Sequence, residues 1–253
     1  MTATTVILHV CLRTWAKTFA RPVLLSFSFV QPLLWLLLFG FLFERARPAH
    51  LADLRYLDYL APGVGAMTVL FGASQSGIGW IRDMQTGFLA RALRTPASPA
   101  LLLLGKLLAD TLRLVAQALV VLGIAWLLEA RVSITAAYLP WGLLCLSLFA
   151  MGFATLSSYI ALRTGLQEAM AAYVHVVNMP LLFTSTALIP HADMPSWLAT
   201  IAHWNPLSLT VDAWRGAILL GVCPRPLATL TVLVGLVAGL FVLTLFAMRR
   251  QLR

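Results

Sequence analysis

Charge is scarce in this 253-residue chain: only 11% of its residues are Asp, Glu, Lys or Arg. A soluble domain carries about 25%, because its surface must be wetted. Acids are scarcer still, 9 against 18 Lys and Arg, for a net charge of +9. The basic residues are too scattered to form a phosphate-binding face, so nucleic acid is not an expected partner and the excess is assigned to orientation in a membrane. Cysteine is nearly absent: Cys11, Cys145 and Cys223 are far apart and odd in number, which gives neither a disulfide framework nor a metal-ligand spacing. The phosphate-cradling pattern G-x-x-x-x-G-K-[ST] is missing, Gly105-Lys106 being preceded by four leucines, and so is H-E-x-x-H. His191, Asp193 and His203 lie beside Pro and Trp in an interfacial stretch, so no metal ligand and no catalytic residue is assigned. The opening MTATTVILHV reads as an anchor rather than a cleavable signal. What the chain has in quantity is apolar surface, 60% of residues, with a mean hydropathy of +0.89. The expectation is an all-α integral membrane protein, one domain over residues 1–253.

A spanning helix needs roughly 20 apolar residues to cross a core about 30 Å thick. Charge-free stretches of that length are Pro22–Phe43, Tyr59–Ile81, Tyr138–Leu162, Ala169–Ile189 and Leu227–Met248. Leu107–Leu128 is a sixth, with Asp110 and Arg113 in its first turns at a spacing that suits pairing. Six spans are therefore expected, at about 22–43, 59–82, 107–128, 138–162, 169–189 and 227–248. Arg13, Lys17 and Arg21, then Arg82, Arg91, Arg94 and Lys106, then Arg163, then Arg249, Arg250 and Arg253 fall on one side if both termini are cytoplasmic. The positive-inside rule selects that orientation, in a cell's inner membrane.

The segments between spans carry pattern. In residues 1–21, His9, Arg13, Lys17 and Arg21 recur every four residues while Leu8, Leu12, Trp15 and Phe19 share another face, predicting an amphipathic interfacial helix. In residues 83–100, Phe88, Leu89, Ala92 and Leu93 form one face of a short helix that Pro96 and Pro99 end. That stripe has no core of its own and needs a surface, either the chain's own helix ends or a second protein. Residues 190–226 hold two short helical repeats, Trp197, Leu198, Ile201 and Trp204, then Leu207, Val211, Trp214 and Ile218, separated by Asn205-Pro206. Each is too short to span, and their tryptophans suit the headgroup zone, predicting outer re-entrant helices between spans five and six.

Two chemical alternatives are open to the residues. Ser74 in Gly72-Ala73-Ser74 and His175 on a later span resemble the nucleophile and base of an intramembrane serine hydrolase, although Gln75 stands where rhomboid-like proteases keep a small residue. A secondary carrier wants a carboxylate in the middle of a span, and none of the spans has one.

Tyr59-Leu60-Ala61-Pro62-Gly63, Gly87-Phe88-Leu89-Ala90-Arg91-Ala92-Leu93-Arg94-Thr95-Pro96, Gly105-Lys106, and Asn205-Pro206-Leu207 followed by Val211-Asp212-Ala213-Trp214-Arg215 occur in that order among the spans. Together they resemble the permease subunit of a type-2 ATP-binding-cassette (ABC) exporter, and within that group the daunorubicin-resistance and nodulation-factor exporter permeases. The resemblance covers nearly the whole chain. It implies a transport subunit, not an enzyme, that pairs with a second permease copy as a homodimer and docks two copies of a separate ABC ATPase, which bind the ATP and Mg; this chain itself needs no cofactor. It also implies that Asp83, Gly87, Phe88, Leu89, Arg91, Leu93, Arg94 and Pro96 belong to an ATPase-coupling segment, with Arg13, Lys17 and Arg21 on a second contact helix. Asn205, Pro206, Asp212 and Arg215 would form an outer gate, and Gln31, Trp35, Gln75, His175 and Asn178 the path of an amphipathic, drug-like or lipid-like cargo. Arg91 departs from the family, which commonly has an acid there, so any salt bridge at that position is rewired.

Overall fold

The computed structural model describes residues 3–20, 22–42, 55–95, 98–131 and 136–250, and within them all regular structure is helical. The helices are α1 (Ala3–Phe19), α2 (Pro22–Leu42), α3 (Tyr56–Ser74), α4 (Ser76–Gln85), α5 (Phe88–Leu93), α6 (Pro99–Leu127), α7 (Leu139–Thr164), α8 (Gln167–Tyr173), α9 (Met179–Phe183), α10 (Ser196–Trp204), α11 (Pro206–Arg215) and α12 (Pro226–Arg250). A π-helical turn, Val174–Asn178, joins α8 to α9, and another, Gly216–Leu220, follows α11.

Among the described residues, three helices are long and apolar enough by length and composition to cross a membrane: α6, α7 and α12. Two of the six expected stretches are divided among shorter helices. Tyr59–Ile81 divides at Gln75 into α3 and α4, and Ala169–Ile189 divides into α8, a π turn and α9. A run of apolar residues states how much chain avoids water, not whether its backbone ladder is continuous. The third stretch differs the other way: α6 begins at Pro99, not at 107. Ser98 caps it, its hydroxyl accepting from the Ala100 amide, and Pro99 occupies the first turn, where its missing N–H is no loss. Pro99 thus opens a helix where it was expected to close one.

Helix α7 is the centre of the bundle, packed against α3, α4, α6, α11 and α12. Phe149, Leu146 and Ala150 on α7 are fully buried with Leu60 and Leu70 of α3 and Trp214 of α11. Trp214 therefore belongs to the core and not to the headgroup zone, whereas Trp197 and Trp204 of α10 are exposed. Leu227, Val234, Val242, Leu243 and Phe246 of α12 also face outward, as a helix bordered by lipid requires.

Helix α1 lies along the first half of α6. Cys11 Sγ donates to the Gly105 carbonyl (2.9 Å) and Trp15 Nε1 to the Ala109 carbonyl (3.2 Å). Its expected apolar face is consequently split: Trp15 turns onto α6, while Leu8 and Leu12 remain exposed on another side.

Candidate functional site

Three groups of residues bear on function, and the first gathers two segments 70 positions apart. Helix α4 ends in a tight turn, with the Gly87 amide donating to the Met84 carbonyl and Gly87 at a φ of +65°, a left-handed conformation glycine adopts without strain. The turn throws α5 back beside α1. Asp83 is buried there and receives both terminal nitrogens of Arg13 (2.8 and 3.1 Å) and Lys17 Nζ (2.7 Å). The Arg13 guanidinium also sits 3.3 Å above the centre of the Phe88 ring. Burial acts to raise the Asp83 carboxyl, but the hydrogen bonds from Arg13 and Lys17 outweigh it and hold the group below the ordinary carboxylate range.

Of the α5 stripe, Leu89 and Leu93 are buried against the chain's own surface and Phe88 is half-buried. Its outward side consists of Ala90, Arg91 and Arg94. Arg91 reaches back to the Thr86 carbonyl (3.3 Å), a contact within the loop. Arg21 and Pro96 lie outside the described residues. The clasp was missed in the sequence, yet a signal exists: Asp83 is the sole carboxylate between Asp58 and Asp110. Asp110 was expected to pair with Arg113. It pairs instead with Lys106 (2.6 Å), one turn earlier, and Arg113 donates to Gln117 (3.2 Å).

The second group is a cavity of about 270 Å³ between α2, α3, α6 and the Val174–Asn178 turn. Gln31, Trp35, Gln75 and His175 line it, together with Met67, Phe71, Gln117 and Met179. Asn178 is not among the lining residues; it is buried, and its Nδ2 donates to Ser74 Oγ (2.6 Å). The π turn explains the divergence. Its wider coil advances each residue through a smaller angle than an α-helix does, so His175 and Asn178, three apart, are splayed onto different faces. Ser74 Oγ, fully buried, donates to the Leu70 carbonyl (2.8 Å) and accepts from Asn178, so its hydroxyl has no contact with His175. A nucleophile needs its base within hydrogen-bond reach. The hydrolase alternative has no such pair here.

The third group knots the segment between α9 and α12 onto α3. Asn205 Oδ1 accepts from the Leu207 amide (2.8 Å), capping α11, while its Nδ2 donates to the Leu181 carbonyl (2.8 Å) and Thr184 Oγ1 (3.0 Å). Pro206 fills the first turn. Arg215, buried, stacks 3.6 Å over the Tyr59 ring and donates to the carbonyls of Tyr59 (3.3 Å) and Thr186 (3.1 Å). Asp212 takes Thr186 Oγ1 (2.8 Å), Arg225 (3.0 Å) and Arg215 (3.5 Å).

Residues 5–219 match the family model described as ABC-2 type transporter. The chain is 33% identical over 202 residues to "Putative transport permease ycf38" of Cyanophora paradoxa, covering 77% of this chain and 68% of that protein. It is 32% identical over 203 residues to the protein of the same name from Pyropia yezoensis, covering 79% and 69%. It is 26% identical over 171 residues to "Probable doxorubicin resistance ABC transporter permease protein DrrC" of Mycobacterium tuberculosis, covering 66% and 60%. Members of this family are membrane-embedded transport subunits that work with an ABC ATPase and are not themselves catalytic. On the family match and the shared length, the chain belongs to the ABC-2 type transporter family.

Proposed function

We propose that this chain is the membrane subunit of an ATP-driven exporter, acting as a homodimer with two copies of a separate ABC ATPase that bind ATP and Mg. It forms one transmembrane domain of six spans in the inner membrane, with both termini cytoplasmic. Four spans are the single helices α2, α6, α7 and α12; the other two are α3 with α4 to about residue 82, and α8 with α9 through the π turn. Helix α1 is the interfacial helix, α5 the coupling helix, and α10 and α11 the outer re-entrant pair, with the Asn205–Arg215 knot as the gate.

The observation that carries this reading is the clasp at Asp83. It fastens α4 to α1, and Arg13 lies over Phe88 of α5, so a push on α5 is passed to both α4 and α1. Closure of the two ATPases supplies that push and opens a path outward along the dimer seam. Gln31, Trp35, Gln75 and His175 line the path; Asn178 braces its wall through Ser74. Aromatic and thioether surfaces beside amides suit an amphipathic, drug-like or lipid-like cargo. Doxorubicin, named for the mycobacterial relative, is the first compound to try: membrane vesicles holding the permease and its ATPase should accumulate it only with ATP. Accumulation that survives ATP depletion would favour a secondary carrier and sink the proposal.

Docking is tested through Arg91 on α5 and Arg94 just after it, both exposed cations. The double reversal Arg91→Glu, Arg94→Glu touches no buried group, so the permease should still fold. The ATPase recovered with the purified permease should fall below about a tenth of the wild-type amount, since like charges across an interface cost several kcal/mol. Undiminished recovery would remove α5 from the interface.

A further inference from the structure

The division of the second charge-free stretch at Gln75 has an identifiable cause. In an unbroken helix the Gly77 amide would donate to the Ala73 carbonyl and the Ile78 amide to the Ser74 carbonyl. Here a side chain from another helix takes both places. Ser157 Oγ of α7, fully buried, donates to the Ser74 carbonyl (2.6 Å) and accepts from the Gly77 amide (2.9 Å). The displaced Ile78 amide turns to the Gln75 carbonyl (3.1 Å), and the Gln75 amide to that of Gly72 (3.3 Å). A side chain inserted into the i→i−4 ladder is a recognised source of a sharp kink.

Two further features fit the insertion. A Cβ on residue 77 would come within 2.5 Å of the Ser157 carbonyl oxygen and 2.8 Å of its hydroxyl, so only glycine lets the wedge in. On the other side, Lys106 Nζ of α6 donates to the Ser76 carbonyl (3.0 Å) while paired with Asp110 (2.6 Å), both side chains being buried. The joint is therefore held from α7 by a hydroxyl and from α6 by an ammonium.

Its position matters as much as its chemistry. Above it α3 lines the cavity through Met67 and Phe71; below it α4 runs to Asp83 and α5; Gln75 itself projects into the cavity from the joint. With Ser157 withdrawn, a continuous i→i−4 ladder would satisfy the same peptide groups in a second way. Backbone groups in a membrane interior must be satisfied internally, which disfavours anything between the two. An element with two discrete packings is what transmits a displacement between distant sites.

Resting on the exporter reading above, we propose that the α3–α4 joint is the hinge that converts movement of α5 into a change of the cavity, with Ser157 and Lys106 as its positioning residues. Ser157→Ala removes the wedge and leaves the ladder free to close, locking the joint in its continuous form.

The test uses the permease–ATPase complex in lipid nanodiscs, with Cys11, Cys145 and Cys223 replaced by alanine and a single reporter thiol introduced by Val174→Cys on the cavity wall. The readouts are the rate of labelling by a water-soluble maleimide, with and without ATP plus vanadate, and ATP hydrolysis. With Ser157 present, nucleotide should change the labelling rate at least fivefold. In Ser157→Ala the change should fall below twofold while hydrolysis stays within twofold of the parent. If Ser157→Ala does not assemble, Lys106→Met combined with Asp110→Leu, which trades the buried ion pair for apolar side chains and frees only the Ser76 carbonyl, should give the same separation. A full nucleotide response in the assembled variant overturns the hinge. A parallel loss of hydrolysis and response also overturns it, by showing a merely structural role. A parent without any nucleotide response overturns the exporter reading, and the hinge with it.

Discussion

Asp83→Ala is expected to strip the permease of its ATPase, leaving less than a tenth of the wild-type amount after purification. Among the described residues the carboxylate is the acceptor for two cations of α1, and both are anchored through it to the turn that aims α5. Hydrogen bonds to charged groups contribute about 1.5–3 kcal/mol when well placed. Arg13 qualifies, being forked onto both carboxylate oxygens and stacked on Phe88. Lys17 is about half exposed, and water screens its share to roughly 0–1 kcal/mol. Arg13→Ala should therefore approach the effect of Asp83→Ala, and Lys17→Ala should be nearly silent. Equal effects of the two would show that the clasp is bulk charge attraction, not a directed contact.

The pH dependence follows from the same pair. Arg13 and Lys17 hold the Asp83 carboxyl below its ordinary value against the opposing effect of burial, so the unfolded chain takes up its proton at a higher pH than the folded one. The resulting stabilisation is complete above the ordinary carboxylate range, about 4, and is lost as pH falls through the depressed value. Melting temperatures of wild type and Asp83→Asn should differ by a constant amount from pH 5 to 8 and converge only in stronger acid.

Arg215→Met should be the most destabilising single change at the other end of the molecule. The guanidinium satisfies the Tyr59 and Thr186 carbonyls, covers the Tyr59 ring and faces Asp212, all within a buried region. The charged hydrogen bonds lost contribute about 1.5–3 kcal/mol, while Asp212 keeps Arg225 at 3.0 Å. Fluorescence-detected size exclusion after heating in detergent should show the folded peak lost well below the wild-type temperature. Arg215→Lys should be little better, since an ammonium cannot span two carbonyls and stack at once. Arg225→Ala, on a more exposed cation bound to the same Asp212, should be mild by comparison. A melting curve for Arg215→Met that overlays the wild type would mean that Arg225 and His191 suffice to hold Asp212.

How much of this was legible in the sequence depends on the kind of interaction. Hydrophobic runs located the membrane-avoiding chain, and spacing located α1, α5, α10 and α11, because apolar periodicity is a local property. The family resemblance, carried by ordered short motifs, agrees with the family match over residues 5–219. What escaped was contact between distant segments. Nothing adjacent to Ser157 marks it as a wedge in another helix, and nothing adjacent to Arg13 marks its partner as Asp83. Trp214 was misplaced for the same reason: indole suits both interface and core, and only the packing of α11 against α3 and α7 decides. The division of the second and fifth stretches was likewise invisible, since hydropathy does not register which amide meets which carbonyl.

The berth of α1 also constrains how the molecule is made. Its bonds to Gly105, Ala109 and Asp83 all reach to residues 66 or more positions ahead. Helix α1 therefore gains these partners only after residues 83–109 have been made. Here a helix is made well before the residues that fasten it, so its final placement waits on chain that follows it.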